Sequence, residues 1–172
     1  MTRGGVGAEV GVHTGDYARF LFRDARPSIL YLVDRWPDDI IINGQKHING
    51  LEAKKIVETR FADEIKEGRI KILHCESFDL GEHIVPGSLD WIYLDTSHRY
   101  PNTLRELRVM AGLLKPGGLL MGHDFDKMTG QGYCSVKRAV EEFLLESNYR
   151  MVLLTQDYPM SFGLTCCQNA IA

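Results

Sequence analysis

Two short polar clusters carry most of the chemistry visible in this chain: Asp95-Thr-Ser-His98 and His123-Asp124. Two carboxylates beside two imidazoles can remove a proton from a hydroxyl or orient an acceptor. The two acids also offer hard oxygen ligands of the kind that suits Mg²⁺. Each cluster follows an apolar run, Leu89 to Leu94 in one case and Leu119 to Gly122 in the other. Between them lie a helical stretch, 102–114, and the turn sequence Leu-Leu-Lys-Pro-Gly-Gly. Strand, helix, strand is the unit of a parallel sheet, and its strands deliver their ends to one edge.

Other strand ends add to that edge. The first apolar run, 8–12, leads into Glu9-Val-Gly11-Val-His-Thr-Gly15-Asp16. Glycines at a strand-to-helix turn let the backbone approach a ligand closely, and they equally serve an ordinary tight turn. Asp34 ends the second run, 29–33, about 20 residues further on, where a carboxylate can accept from ribose hydroxyls. A solvated surface acid is the plain alternative. The third run, 69–74, ends in Cys75-Glu76-Ser77, where Glu76 either accepts from a purine amino group or stands as a surface acid.

Helices are expected after the glycine turn, over 51–65 and over 135–146, from their apolar spacing. Asn43 to Asn49 reads as a polar turn, and 79–83 as a short helix or turn. Two final runs, 149–155 and 162–167, are linked too closely for a helical crossover and predict an antiparallel hairpin. The expected fold is α/β: a Rossmann-like sheet, mostly parallel, with an antiparallel C-terminal hairpin and helices on both faces. Its 172 residues suit one domain over 1–172.

Composition excludes several classes. Hydrophobic residues make up 44%, charged residues 25%, and the net charge is −3. With no long basic run, a nucleic-acid partner is not expected. No apolar stretch spans a bilayer, and the N-terminus lacks the apolar core of a signal peptide. The four cysteines form no C-x-x-C pair and match no zinc spacing, so reduced thiols in a cytoplasmic protein are expected.

Taken in order, E-x-G-x-x-x-G, the acid after strand two, Glu-Ser after strand three, L-D-x-x-x-L-D, LLKPGG and GHD resemble class I S-adenosylmethionine-dependent methyltransferases. The likeness runs from Gly7 to Cys167 and is greatest to a small bacterial group with D-G-x-H-x-Y, LLKPGG and GHD motifs; here the first reads Asp-Thr-Ser-His-Arg-Tyr. The resemblance implies that Glu9, Gly11 and Gly15 line the methionine and ribose part of the cofactor, with Asp34 on the ribose. Glu76 and Ser77 would lie beside the adenine. Asp95 would face the methionine amine, the acceptor or a metal, and His98, His123 and Asp124 would lie on the acceptor side.

The implied reaction is methyl transfer to a small-molecule acceptor, with a hydroxyl favoured. His98 is the first candidate base and His123 the second; the plain alternative for each is a structural histidine that caps a helix or bonds a loop carbonyl. Asp95 and Asp124 are candidate ligands for an optional Mg²⁺, with Asp126 or His123 as a third. Tyr100 could line the acceptor site or stack on the next helix, and Trp36 could border the adenine or fill the loop core. Relatives often carry an N-terminal covering helix, so here a lid would come from 35–49, from 125–133, or from a second copy in a homodimer. Two other readings remain: a methyltransferase-like scaffold without turnover, and a nicotinamide-dependent oxidoreductase, which lacks its G-x-G-x-x-G turn here.

Overall fold

A computed structural model describes residues 3–42, 45–128 and 135–167. Its main sheet has seven strands. In chain order these are β1 (Val6–Val10), β2 (Ile29–Asp34), β5 (Ile70–His74), β6 (Leu89–Leu94), β7 (Leu114–Gly122), β8 (Tyr149–Leu154) and β9 (Phe162–Cys166). Their spatial order is β5-β2-β1-β6-β7-β9-β8. The first five are parallel, and β9 inserts antiparallel between β7 and β8. This is the Rossmann-like methyltransferase sheet expected from the sequence.

Helices α1 (Asp16–Ala25), α2 (Gly50–Arg60) and α3 (Ala62–Lys66) pair with one face of the sheet; α4 (Leu80–His83), α5 (Tyr100–Leu113) and α6 (Ser135–Glu146) pair with the other. The face assignment follows strand alternation. Ala8 and Val10 of β1 pack with Leu107, Met110 and Val140 of α5 and α6. Trp91 and Tyr93 of β6 pack with Leu21 and Val57 of α1 and α2. Glu9, between Ala8 and Val10, therefore turns to the α1–α2 face. Gly7 precedes it there because the Trp91 ring fills the space a Cβ would need, 2.2 Å away.

Some local expectations shift. The polar stretch 43–49 is not only a turn, since β3 (Ile40–Ile42) and β4 (Gln45–Ile48) pair antiparallel as a separate two-stranded sheet. Residues 43 and 44 lie outside the described segments, as does most of the expected lid 125–133 beyond Met128. The single helix expected over 51–65 is two, because Phe61 leaves helical geometry at φ −116° and turns its ring into the core. Strand β7 begins at Leu114, pairs with Leu89, and resumes regular pairing at Leu119 after the Pro-Gly-Gly irregularity. At the edge away from the strand tips, Asp90 accepts from Val6 N (2.7 Å) and from Lys115 Nζ (2.8 Å), tying β1, β6 and β7 together. Cys75, Cys166 and Cys167 are free thiols. No helix among the described residues is long and apolar enough to cross a membrane.

Candidate active site

The parallel ladder continues one residue past each strand and lines the tips up. Gly11 N donates to Val33 O (2.9 Å), Cys75 N to Asp34 O (3.2 Å), Asp95 N to Val10 O (2.8 Å) and His123 N to Leu94 O (3.2 Å). Gly11, Asp34, Cys75, Asp95 and His123 thus stand in one row along the C-terminal edge. Beyond β1 the chain runs to β2 and β5 on one side and later to β6 and β7 on the other. The crevice at such a reversal is where open α/β sheets bind ligands. Five non-glycine residues among those described have positive φ, and four of them (His13, Trp36, His98 and Asp124) lie at this edge. Strained backbone of this kind clusters at functional sites.

Glu9 is the most telling residue of the row. It is 2% exposed, and its Oε2 has no hydrogen-bond partner among the described residues. Burial raises its pKa well above the usual carboxylate range, and the negative fields of Asp95 and Asp34 push the same way. A buried carboxylate oxygen with two acids nearby and no donor is satisfied by a cation. The α-ammonium of S-adenosylmethionine fits that requirement, so the residues present suit this cofactor.

Asp34 has a different first duty from the one expected. Its Oδ2 accepts from His13 N (2.9 Å) and its Oδ1 from Trp36 N (2.8 Å). The indole of Trp36, fully buried, donates to His13 O (2.8 Å). Asp34 and Trp36 therefore bind the glycine turn to the loop after β2, and each carboxylate oxygen keeps a lone pair for a hydroxyl. Trp36 belongs to this core. The two glycines are explained by protein contacts. Gly11 has φ +96°, and a Cβ there would lie 1.9 Å from Asp95 O; Gly15 has φ +74° and sits against Val57 and Phe61.

On the other side of the crevice, the imidazole of His98 lies between two acids. Its Nε2 is 2.8 Å from Asp95 Oδ1 and its Nδ1 is 3.1 Å from Asp124 Oδ2. Asp124 is buried and also receives Lys127 Nζ at 2.8 Å. The ring closes the space between the two carboxylates expected to share a metal. Asp126, the possible third ligand, accepts from Met160 N (2.7 Å). Among the described residues no three His, Cys, Asp or Glu side chains are grouped to hold a metal ion. This donor set does not fit Mg²⁺, which demands near-octahedral oxygen ligation.

His123 is held otherwise. Its Nδ1 is 3.0 Å from Ser161 Oγ, and its Nε2 stands 3.8 Å from Asp124 Oδ1, beyond hydrogen-bond reach. Ser161 also approaches the Tyr93 hydroxyl at 3.5 Å, and the Tyr93 ring stacks 4.4 Å from that of Tyr17. Burial raises the pKa of both phenols, keeping them as hydroxyls.

The loop after β5, where the resemblance implies the adenine, is held by a residue that the sequence reading passed over. Glu106 on α5 is 2% exposed; it accepts from Ser77 Oγ (2.6 Å) and from Thr96 Oγ1 (2.8 Å). Burial raises its pKa, against the pull of those two bonds. The Ser77 hydroxyl is thus directed at Glu106, while Glu76 makes an exposed ion pair with Arg35 at 3.7 Å. A signal existed for Glu106: it lies on the buried stripe of Thr103, Leu107 and Met110. Ser161 had none, since its place depends on how the C-terminal hairpin folds back. Tyr100 belongs to the packing of α5 on α6, where its hydroxyl donates to Glu142 and its ring lies under Arg138.

Comparison with known proteins agrees with this geometry. Residues 8–125 match a family model described as a methyltransferase domain. The chain belongs to that family, and its sheet makes it a class I methyltransferase. Curated proteins give no match. Among solved structures, one provisionally assigned as an rRNA methylase from Clostridium thermocellum superposes with TM-score 0.68 at 13% identity, covering 96% of this chain and 90% of that one. One provisionally assigned as a methyltransferase from Streptococcus mutans, in complex with SAH, gives 0.66 at 12%, covering 95% and 89%. One provisionally assigned as an S-adenosyl-L-methionine-dependent methyltransferase from Methanococcus maripaludis gives 0.67 at 15%, covering 99% and 81%. At these identities the structures speak for the fold; the family supports S-adenosylmethionine as methyl donor.

Proposed function

We propose that this protein transfers a methyl group from S-adenosylmethionine to a hydroxyl of a small molecule. The observation that carries the reading is the pairing of an unpartnered buried Glu9 with a histidine-rich acceptor side. When bound, the cofactor supplies an electrophilic methyl on a sulfonium. Glu9 holds its ammonium, Asp34 accepts from its ribose hydroxyls through the lone pairs left free, and Glu76 stands by the adenine amino group.

A hydroxyl is a weak nucleophile until a base takes its proton. A neutral imidazole has one N–H and one lone pair. For His98 both ring nitrogens lie against carboxylate oxygens, which only accept, so neither nitrogen is placed to take a proton from an acceptor and its role is to fix Asp95 and Asp124. This reverses the order favoured by the sequence, which put His98 first. In the tautomer that donates Nδ1–H to Ser161 Oγ, His123 keeps a lone pair on Nε2, which stands beyond hydrogen-bond reach of Asp124, and it is the better base.

The test is an S-adenosylhomocysteine release assay over phenols, sugars, small amines and RNA. Release should depend on a hydroxyl compound and fall strongly in His123→Ala. Turnover on RNA or amines alone, or cofactor binding with no turnover on any hydroxyl, contradicts the proposal.

A further inference from the structure

The third and fourth parallel strands of the sheet edge are joined through one buried carboxylate. Glu106 reaches from α5 to Ser77, which opens the short 3-10 turn Ser77–Asp79 after β5, and to Thr96, the residue after Asp95 at the tip of β6. Those two loops lie on opposite sides of β1 and β2 in the sheet order and share no ladder bonds. Each oxygen of Glu106 takes one hydroxyl, so a single side chain fixes the separation of the two loops. An isolated helix–loop bond would leave either loop free to move against the other.

We infer that Glu106 is a positioning residue that sets the span of the cofactor crevice, holding the adenine-side loop through Ser77 and the loop that carries Asp95 through Thr96. This rests on the methyltransferase reading above. It gives Ser77 an indirect role: its hydroxyl fixes the loop from beneath. It also gives Thr96 a role that its place between Asp95 and His98 did not suggest. A ligand that reaches both ends of the crevice should sense the clamp, whereas a ligand confined to one end should sense it less.

The probes are S-adenosylhomocysteine, which spans both ends, and adenosine, which occupies one. Their affinities are measured calorimetrically for wild type, Glu106→Ala, Glu106→Gln, Ser77→Ala, Thr96→Ala and the Ser77→Ala/Thr96→Ala double variant. Glu106→Ala should weaken S-adenosylhomocysteine by about tenfold, the scale of one lost hydrogen bond to a charged group, and adenosine by clearly less. Glu106→Gln should bind near wild type, because its amide can meet both hydroxyls, each able to donate or accept. The two single hydroxyl deletions should be non-additive, as expected for members of one network. A Glu106→Ala protein that melts earlier but binds S-adenosylhomocysteine like wild type overturns the inference, leaving a merely structural residue. So do fully additive Ser77 and Thr96 effects, which remain readable if Glu106→Ala does not fold. If wild type binds neither probe, the methyltransferase reading itself fails and takes this inference with it; wild-type binding with an unaffected Glu106→Ala removes the inference alone.

Discussion

His98 and Asp124 meet at 3.1 Å, and both have left-handed backbone conformations, φ +53° and +58°. Neither is a glycine, so the strain is compensated by the contacts that hold them: Asp95 on the far side of the ring and Lys127 on the far side of the carboxylate. Asp124 is almost wholly buried, and stripping one partner from a buried charge is costly.

His98→Ala should therefore destabilise the fold as well as reduce turnover. His123→Ala should cut kcat by about 10²- to 10⁴-fold, the range of a lost general base, with little loss of stability because the ring is part-exposed. Melting curves beside steady-state rates separate the two. A His123→Ala enzyme with unimpaired kcat would remove His123 as the base.

Glu9 has the opposite balance. Its folded-state pKa is raised, so it contributes stability below its unfolded pKa that is lost as pH rises through the folded value. Glu9→Gln removes that loss and should raise Tm at neutral pH, by about 2–4 °C per kcal/mol recovered for a chain of this size. The same change should weaken S-adenosylhomocysteine binding. In wild type, affinity should rise with pH as Glu9 ionises, and in Glu9→Gln that rise should vanish. Calorimetry across a pH series reads both; a wild-type affinity flat with pH would contradict the ammonium role.

Gly11→Ala tests the turn. A left-handed conformation costs a non-glycine residue about 1–2 kcal/mol, and here the new Cβ also meets Asp95 O at 1.9 Å. Denaturant unfolding should show a loss larger than the conformational cost alone. A neutral substitution would mean that β1 and β6 can part at their tips.

Asp34→Ala removes the acceptor of two backbone amides, each bond to a charged group being worth about 1.5–3 kcal/mol. Stability and cofactor affinity should fall together. Unchanged affinity for S-adenosylhomocysteine would take Asp34 out of the ribose site.

What the sequence made legible follows from what its patterns encode. Apolar runs such as Ile29–Asp34 and Leu89–Leu94 are strands buried on both faces, and crossover length decides parallel against antiparallel, so the sheet and its row of tips could be read directly. The same reasoning placed Asp34, Asp95, His98, His123 and Asp124 at one edge. It could not say what each side chain touches. Gly11 read equally as room for a ligand and as a tight turn, and the spacing could not show that a Cβ there would meet Asp95 O. Asp95 and Asp124 looked like paired metal ligands and are bridged by His98. Ser161 and Glu106 act through contacts 38 and 29 residues away in the chain, for which no local spacing exists.

The most direct measurement is a calorimetric titration of the wild-type protein with S-adenosylhomocysteine. Saturable one-site binding in the micromolar range, about −7 to −9 kcal/mol, should appear together with a rise in melting temperature. No heat and no thermal shift at millimolar ligand would contradict a cofactor crevice at the strand tips.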